Sequence, residues 1–142
     1  MQKPDLKTRT APDKRRKTPT PVRALAREAV QAVQEKKAED IVILDMCAAS
    51  GFADYFVLCT GTSDLQVKAV VEAVEMRLKE VCLERPWHIE GTDHCQWVLM
   101  DYVDLVVHVF SPERRTFYDL ERLWSDAPSE AVGEGPVVLL SP

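Results

Sequence analysis

The chain has 142 residues, 46% hydrophobic and 29% charged, and a net charge of −5. That is material for one globular core, and no apolar run reaches the roughly 18 residues of a membrane span. The N-terminus also lacks the apolar centre of a secretory signal, so a cytoplasmic protein is expected.

Charge is unevenly divided. Residues 1–23 hold eight Lys/Arg and two Asp, a balance of +6, which leaves −11 on the remainder. A basic arm on an acidic globule fits phosphate contact by the arm and a basic partner for the globule. Cys47, Cys59, Cys82 and Cys95 form no C-x-x-C pair, so reduced, buried thiols are expected instead of a zinc site or disulfides.

Residues 1–19 have few large apolar side chains and contain Pro4, Pro12 and Pro19, which predicts a disordered basic tail. Its Lys14-Arg15-Arg16-Lys17 run is the candidate RNA-contacting segment. Thr20 as cap and Pro21 as first residue open a helix. Val22, Leu25, Ala26, Ala29, Val30 and Val33 give it one apolar stripe through about Glu35.

Ile41–Leu44 and Tyr55–Thr60 read as strands, the second apolar enough to be covered on both faces. Ser63 with Gln66 forms a capping box. The long helix it starts has an apolar stripe of Val67, Val70, Val71, Val74, Leu78, Val81 and Cys82. Trp87–Glu90 fits a short edge strand. Trp97–Met100 and Leu105–Phe110 then form a hairpin around Asp101-Tyr102-Val103-Asp104, with the second strand central.

Ser111-Pro112-Glu113 starts a last helix, with Phe117, Leu120 and Trp124 on one face and Tyr118 and Glu121 elsewhere. From Ser125 onward Pro, Gly, Ser and Glu predict a loose tail, although Val137–Leu140 is apolar enough to dock. The fold class is α/β or α+β, a small mixed sheet crossed by helices. The expected division is a tail over 1–19, a domain over 20–125 and a flexible C-terminal tail over 126–142.

Candidate sites compete with plainer readings. Gly61-Thr62-Ser63-Asp64 has the form of an anion-holding turn, but no nucleotide-binding glycine pattern accompanies it. Asp101 and Asp104 are strand-end carboxylates, yet their i, i+3 spacing suits turn capping better than metal binding. His88, His94 and His108 show no nucleophile pairing, and a strand histidine is usually a hydrogen-bonded core residue.

The first hairpin strand is different. Period-two geometry puts Trp97, Leu99 and Asp101 on one surface. Trp97 has a plain reading as a core residue; an exposed surface of that kind, ringed by acids, would instead be a protein-binding anchor.

The segments D-Y-F-V-L-C-T-G-T-S at 54–63, Gln66-Val67, Glu90-Gly91, W-V-L-M-D-Y-V-D-L-V-V-H-V-F at 97–110 and F-Y-D-L-E-R-L-W at 117–124 jointly resemble the ribosomal silencing factors, or Iojap-like proteins. The resemblance spans about Val22 to Trp124. It implies a nucleotidyltransferase-like fold without catalytic apparatus, no cofactor and no metal.

It further implies binding to the large ribosomal subunit, chiefly through its protein numbered fourteen, and steric exclusion of the small subunit. Translation is thereby repressed, and organellar relatives take part in large-subunit assembly. The implied partner-binding residues are Trp97, Asp101, Tyr102, Asp104 and Tyr118, to which the strand alternation adds Leu99, and a homodimer is expected in the free state.

The competing reading is an active metal-dependent nucleotidyltransferase using Asp101, Asp104 and the Gly61 turn. One departure stands out: Val103 replaces the family's usual turn glycine. A β-branched residue at positive φ costs roughly 1–2 kcal/mol, so a changed turn type or shifted register is expected there.

Overall fold

Two strands apolar enough in sequence to be covered on both faces lie at the centre of the sheet. The computed structural model describes residues 20–49, 51, 53–133 and 137–141. The 1–19 tail and its Lys14–Lys17 run lie outside the described residues. In chain order the elements are α1 Val22–Glu35, β1 Glu39–Asp45, β2 Tyr55–Thr60, α2 Asp64–Cys82 and β3 His88–Glu90. They continue as β4 Trp97–Asp101, β5 Leu105–Phe110, α3 Pro112–Tyr118, α4 Leu120–Leu123 and β6 Ser129–Ala131.

The sheet runs β3-β4-β5-β2-β1-β6. β2 and β5, buried at every position, pair in parallel. The other pairs are antiparallel, so the architecture is a mixed α/β sheet.

α1 and α2 close one face. Their stripes meet alternate residues of the strands, among them Val57, Cys59, Val98, Met100 and Val107, in one aliphatic cluster. Arg77 on α2 binds Glu28 and Glu35 on α1 at 2.8 and 3.1 Å. Val81, expected on the α2 stripe, faces solvent.

Gln66 links three chain ends. Ser63 Oγ accepts the Gln66 N–H at 3.1 Å, while Gln66 Oε1 accepts the Thr62 N–H at 2.7 Å, one residue earlier than a capping box requires. Its Nε2 donates to the Lys36 and Lys37 carbonyls at the end of α1, groups a helix terminus leaves unpaired.

Several expectations are corrected. Pro21 is extended at ψ 140° and precedes α1 instead of occupying its first turn. Thr20 does not cap the helix; its hydroxyl donates to the Cys82 carbonyl at 3.0 Å. Cys59, Cys82 and Cys95 are buried as expected, but Cys47 is exposed. Desolvation of its sulfur and the neighbouring Asp45 push that thiol up to about 11.

The segment after 125 is not loose where it is described. β6 pairs with β1, Leu140 is fully buried, and the Glu130 carboxylate accepts the Val138 and Leu139 N–H groups. Arg27 also donates to the Leu140 carbonyl. No described helix is long and apolar enough to cross a membrane.

Candidate partner-binding surface

The alternation along β4 is as read from the sequence, since Val98 and Met100 join the aliphatic cluster while Trp97 and Leu99 point to the opposite face. That face is not open. Trp97, Leu99 and Asp101 are each only 1% exposed, which overturns the expected outward indole surface.

Three contacts enclose Trp97. Its indole N–H donates to His108 Nδ1 at 3.1 Å. Its ring stacks on Phe110 at 5.1 Å, and the Tyr118 ring lies 4.5 Å away. Strand periodicity tells which residues share a face, but not whether a later helix folds over them.

That cover comes from a break in the last helix. Ser111 Oγ accepts the Arg114 N–H at 3.3 Å and Pro112 occupies the first turn, as the sequence predicts. At Asp119 the backbone turns left-handed (φ 45°, ψ 59°), ending α3 and starting α4. The break rephases the side chains.

Phe117, expected inward beside Leu120 and Trp124, is 73% exposed, while Tyr118 packs onto Trp97. Leu120 is buried as expected, and Trp124 is half-buried with its ring edge-on to Phe56 at 6.5 Å. Leu123, 56% exposed, completes an outward apolar pair with Phe117. Around them opens a cleft of about 570 Å³ lined by Thr116, Phe117, Tyr118, Asp119, Arg122 and Leu123. Sequence reasoning missed Phe117 and Leu123 because an unbroken helix turns Phe117 inward.

The hairpin turn gathers the other expected residues at the far end of β4, about 13 Å from Trp97 at strand rise. The register runs undisturbed from Trp97 opposite Phe110 to Asp101 opposite Val106. Val103 itself adopts φ 75°. The expected change of turn type or register is therefore corrected: valine accepts the strained conformation.

Its environment fixes it there. Asp101 Oδ1 accepts the Val103 N–H at 2.8 Å, Tyr102 N–H donates to the Leu105 carbonyl at 2.8 Å, and Asp104 N–H donates to the Tyr102 carbonyl at 3.0 Å. The last of these closes a γ-turn centred on Val103. Tyr102 points under α2 into the aliphatic cluster, where burial first and Glu75 second push its phenol up. Its hydroxyl is buried and has no hydrogen-bond partner among the described residues.

Of the turn residues Asp104 is the exposed one. Burial, then Asp104 and Asp45, raise the Asp54 carboxyl above its ordinary value. That end of the sheet is therefore acidic. The six expected contact residues do not form one patch. Trp97, Leu99 and Tyr118 lie on the aromatic face and Tyr102 on the opposite one, with Asp101 folded into the turn and Asp104 at its tip.

Among the described residues no three His, Cys, Asp or Glu side chains converge to hold a metal ion. Gly61 has a packing reason, since a Cβ there would stand 2.8 Å from Val67 Cγ2, and its turn amides at Thr62 and Gln66 are already bonded.

The sequence model of the family described as "Ribosomal silencing factor during starvation" matches residues 19–138. The chain is 42% identical over 106 residues to the ribosomal silencing factor RsfS of Bacillus subtilis, covering 75% of this chain and 89% of that protein. It is 33% identical over 98 residues to a Mus musculus protein named for mitochondrial assembly of the ribosomal large subunit, 68% of this chain and 43% of that one.

A crystal structure of a Chromobacterium violaceum protein superposes with a TM-score of 0.72 at 36% identity, over 80% of this chain and 95% of that one. The chain therefore belongs to the ribosomal silencing factor family.

Proposed function

We propose that this protein binds the large ribosomal subunit, chiefly through its protein numbered fourteen, and sterically blocks the small subunit, repressing translation without catalysing a reaction. The docking surface is the α3–α4 corner, with Phe117 and Leu123 as anchors and Tyr118 at its edge. Asp104 contributes at the acidic hairpin end. Phe117 at 73% and Leu123 at 56% exposed on the thinly covered face carry this reading, because adjoining large apolar side chains turned to solvent mark interaction surfaces.

Family membership supports a ribosomal partner, and the mouse relative's name points to the large subunit. The −11 carried outside residues 1–23 speeds encounter with a basic protein more than it adds affinity.

Co-sedimentation with separated ribosomal subunits tests the reading. Wild type moves with the large subunit and suppresses subunit joining. The double variant Phe117→Ala/Leu123→Ala loses affinity by about 30-fold, or about 2 kcal/mol, as for hot-spot residues. Equal binding by both proteins overturns the surface, and magnesium-dependent ATP binding in calorimetry would favour the nucleotidyltransferase reading. Lys14, Arg15, Arg16 and Lys17 are proposed to touch ribosomal RNA phosphate, so deleting residues 1–19 flattens the salt dependence of binding.

A further inference from the structure

An α-helix of one turn does not hold itself in water. α4 has four residues and no side-chain cap, and α3 buries none of its seven. The angle at Asp119, which decides where Phe117, Tyr118 and Leu123 point, must therefore be set by tertiary bonds.

Arg115 supplies a set of them. Its side chain is 10% exposed. From α3 its Nε and Nη2 donate to Glu121 Oε1 and Oε2 on α4 at 3.0 and 3.2 Å, a two-pronged pair across the break. Nη1 donates to Thr60 Oγ1 at the end of β2 at 3.0 Å, and the guanidinium lies 6.0 Å from the Phe110 ring centre. The Arg115 carbonyl accepts the Asp119 N–H at 3.1 Å, at the break itself.

A planar fork fixes orientation as well as distance, which a lysine ammonium cannot do. One side chain thus ties α3, α4 and two central strands together.

We infer that Arg115, through Glu121 and Thr60, is a positioning residue that locks the α3–α4 corner in its docking shape without itself touching the partner. The inference rests on the docking surface proposed above. Its effect is preorganisation: without the fork the corner must be ordered at each binding event, and affinity falls.

The full-length protein is titrated onto purified large ribosomal subunits from its source organism, well below the unfolding midpoint, so that lost stability cannot lower affinity. Arg115→Lys and Glu121→Gln each weaken binding by about 10-fold, and the double variant by no more than either alone, because they break one device. Amide exchange accelerates over residues 119–125 and is unchanged in α1 and α2.

Two separate losses that multiply in the double variant would make Arg115 and Glu121 independent contacts and overturn the lock. Unaltered exchange over 119–125 in Arg115→Lys overturns it whatever the affinities show. Phe117→Ala/Leu123→Ala separates the two ideas: full binding by that variant ends the docking surface, whereas weakened binding with Arg115→Lys unaffected ends only the lock.

Discussion

One face of the sheet is closed by helices of fourteen and nineteen residues, the other by helices of seven and four. Beneath the long pair lies an aliphatic cluster rich in valine, and beneath the short pair an aromatic one of Trp97, His108, Phe110, Phe56, Tyr118 and Trp124. The long helices each bury a continuous stripe, although Leu65, Met76 and Val81 of α2 are exposed. The short pair has no such stripe, and its exposed Phe117 and Leu123 line one cleft. The first face holds the fold, and the second carries the proposed docking surface.

The sharpest way to break this comparison is at Trp97, buried on the α3–α4 face. Trp97→Ala lowers stability by about 3–5 kcal/mol and weakens ribosome binding in the fraction that stays folded, because Tyr118 loses its support. Phe117→Ala weakens binding while changing stability by under about 0.5 kcal/mol. Urea unfolding alongside co-sedimentation separates the two, and an unchanged unfolding midpoint in Trp97→Ala would contradict its burial.

Gly61→Ala probes the holding face, where the added methyl presses on Val67 at the start of α2. The expected loss is about 1–3 kcal/mol with affinity per folded molecule unchanged. Val103→Gly acts at the hairpin end in the opposite sense. It relieves about 1–2 kcal/mol of strain against about 0.5–1 kcal/mol for glycine's extra freedom, a net gain of about 1 kcal/mol. A higher urea midpoint at constant slope is the readout.

The smallest effect is at Asp54. Its carboxyl stays protonated to higher pH in the folded protein than in the unfolded chain, for reasons of burial, Asp104 and Asp45. The native state therefore binds more protons in that window, and stability falls as pH rises through it. Asp54→Asn removes this loss, giving a gain of under about 1 kcal/mol at about pH 7 that disappears near pH 3.

The contrast also explains what the sequence made legible. α2 was readable because nineteen residues repeat one stripe, and β2 and β5 because their apolar runs require cover on both sides. The α3–α4 face resisted because its geometry depends on events without periodicity: the left-handed turn at Asp119 and the cap of Tyr118 over Trp97. Alternation put Trp97 and Leu99 on one face correctly. It carried no information about what would lie on top of them, so the indole was expected outward although it is buried.

The parallel pairing of β2 with β5, Tyr55 opposite Leu105 through Thr60 opposite Phe110, has a consequence for synthesis. A partner so far along the chain is absent while the first half leaves the ribosome, and such distant pairings form late. The nascent β1–β2 hairpin therefore waits with both edges unmet, β2 for β5 and β1 for β6, until the last third of the polypeptide emerges.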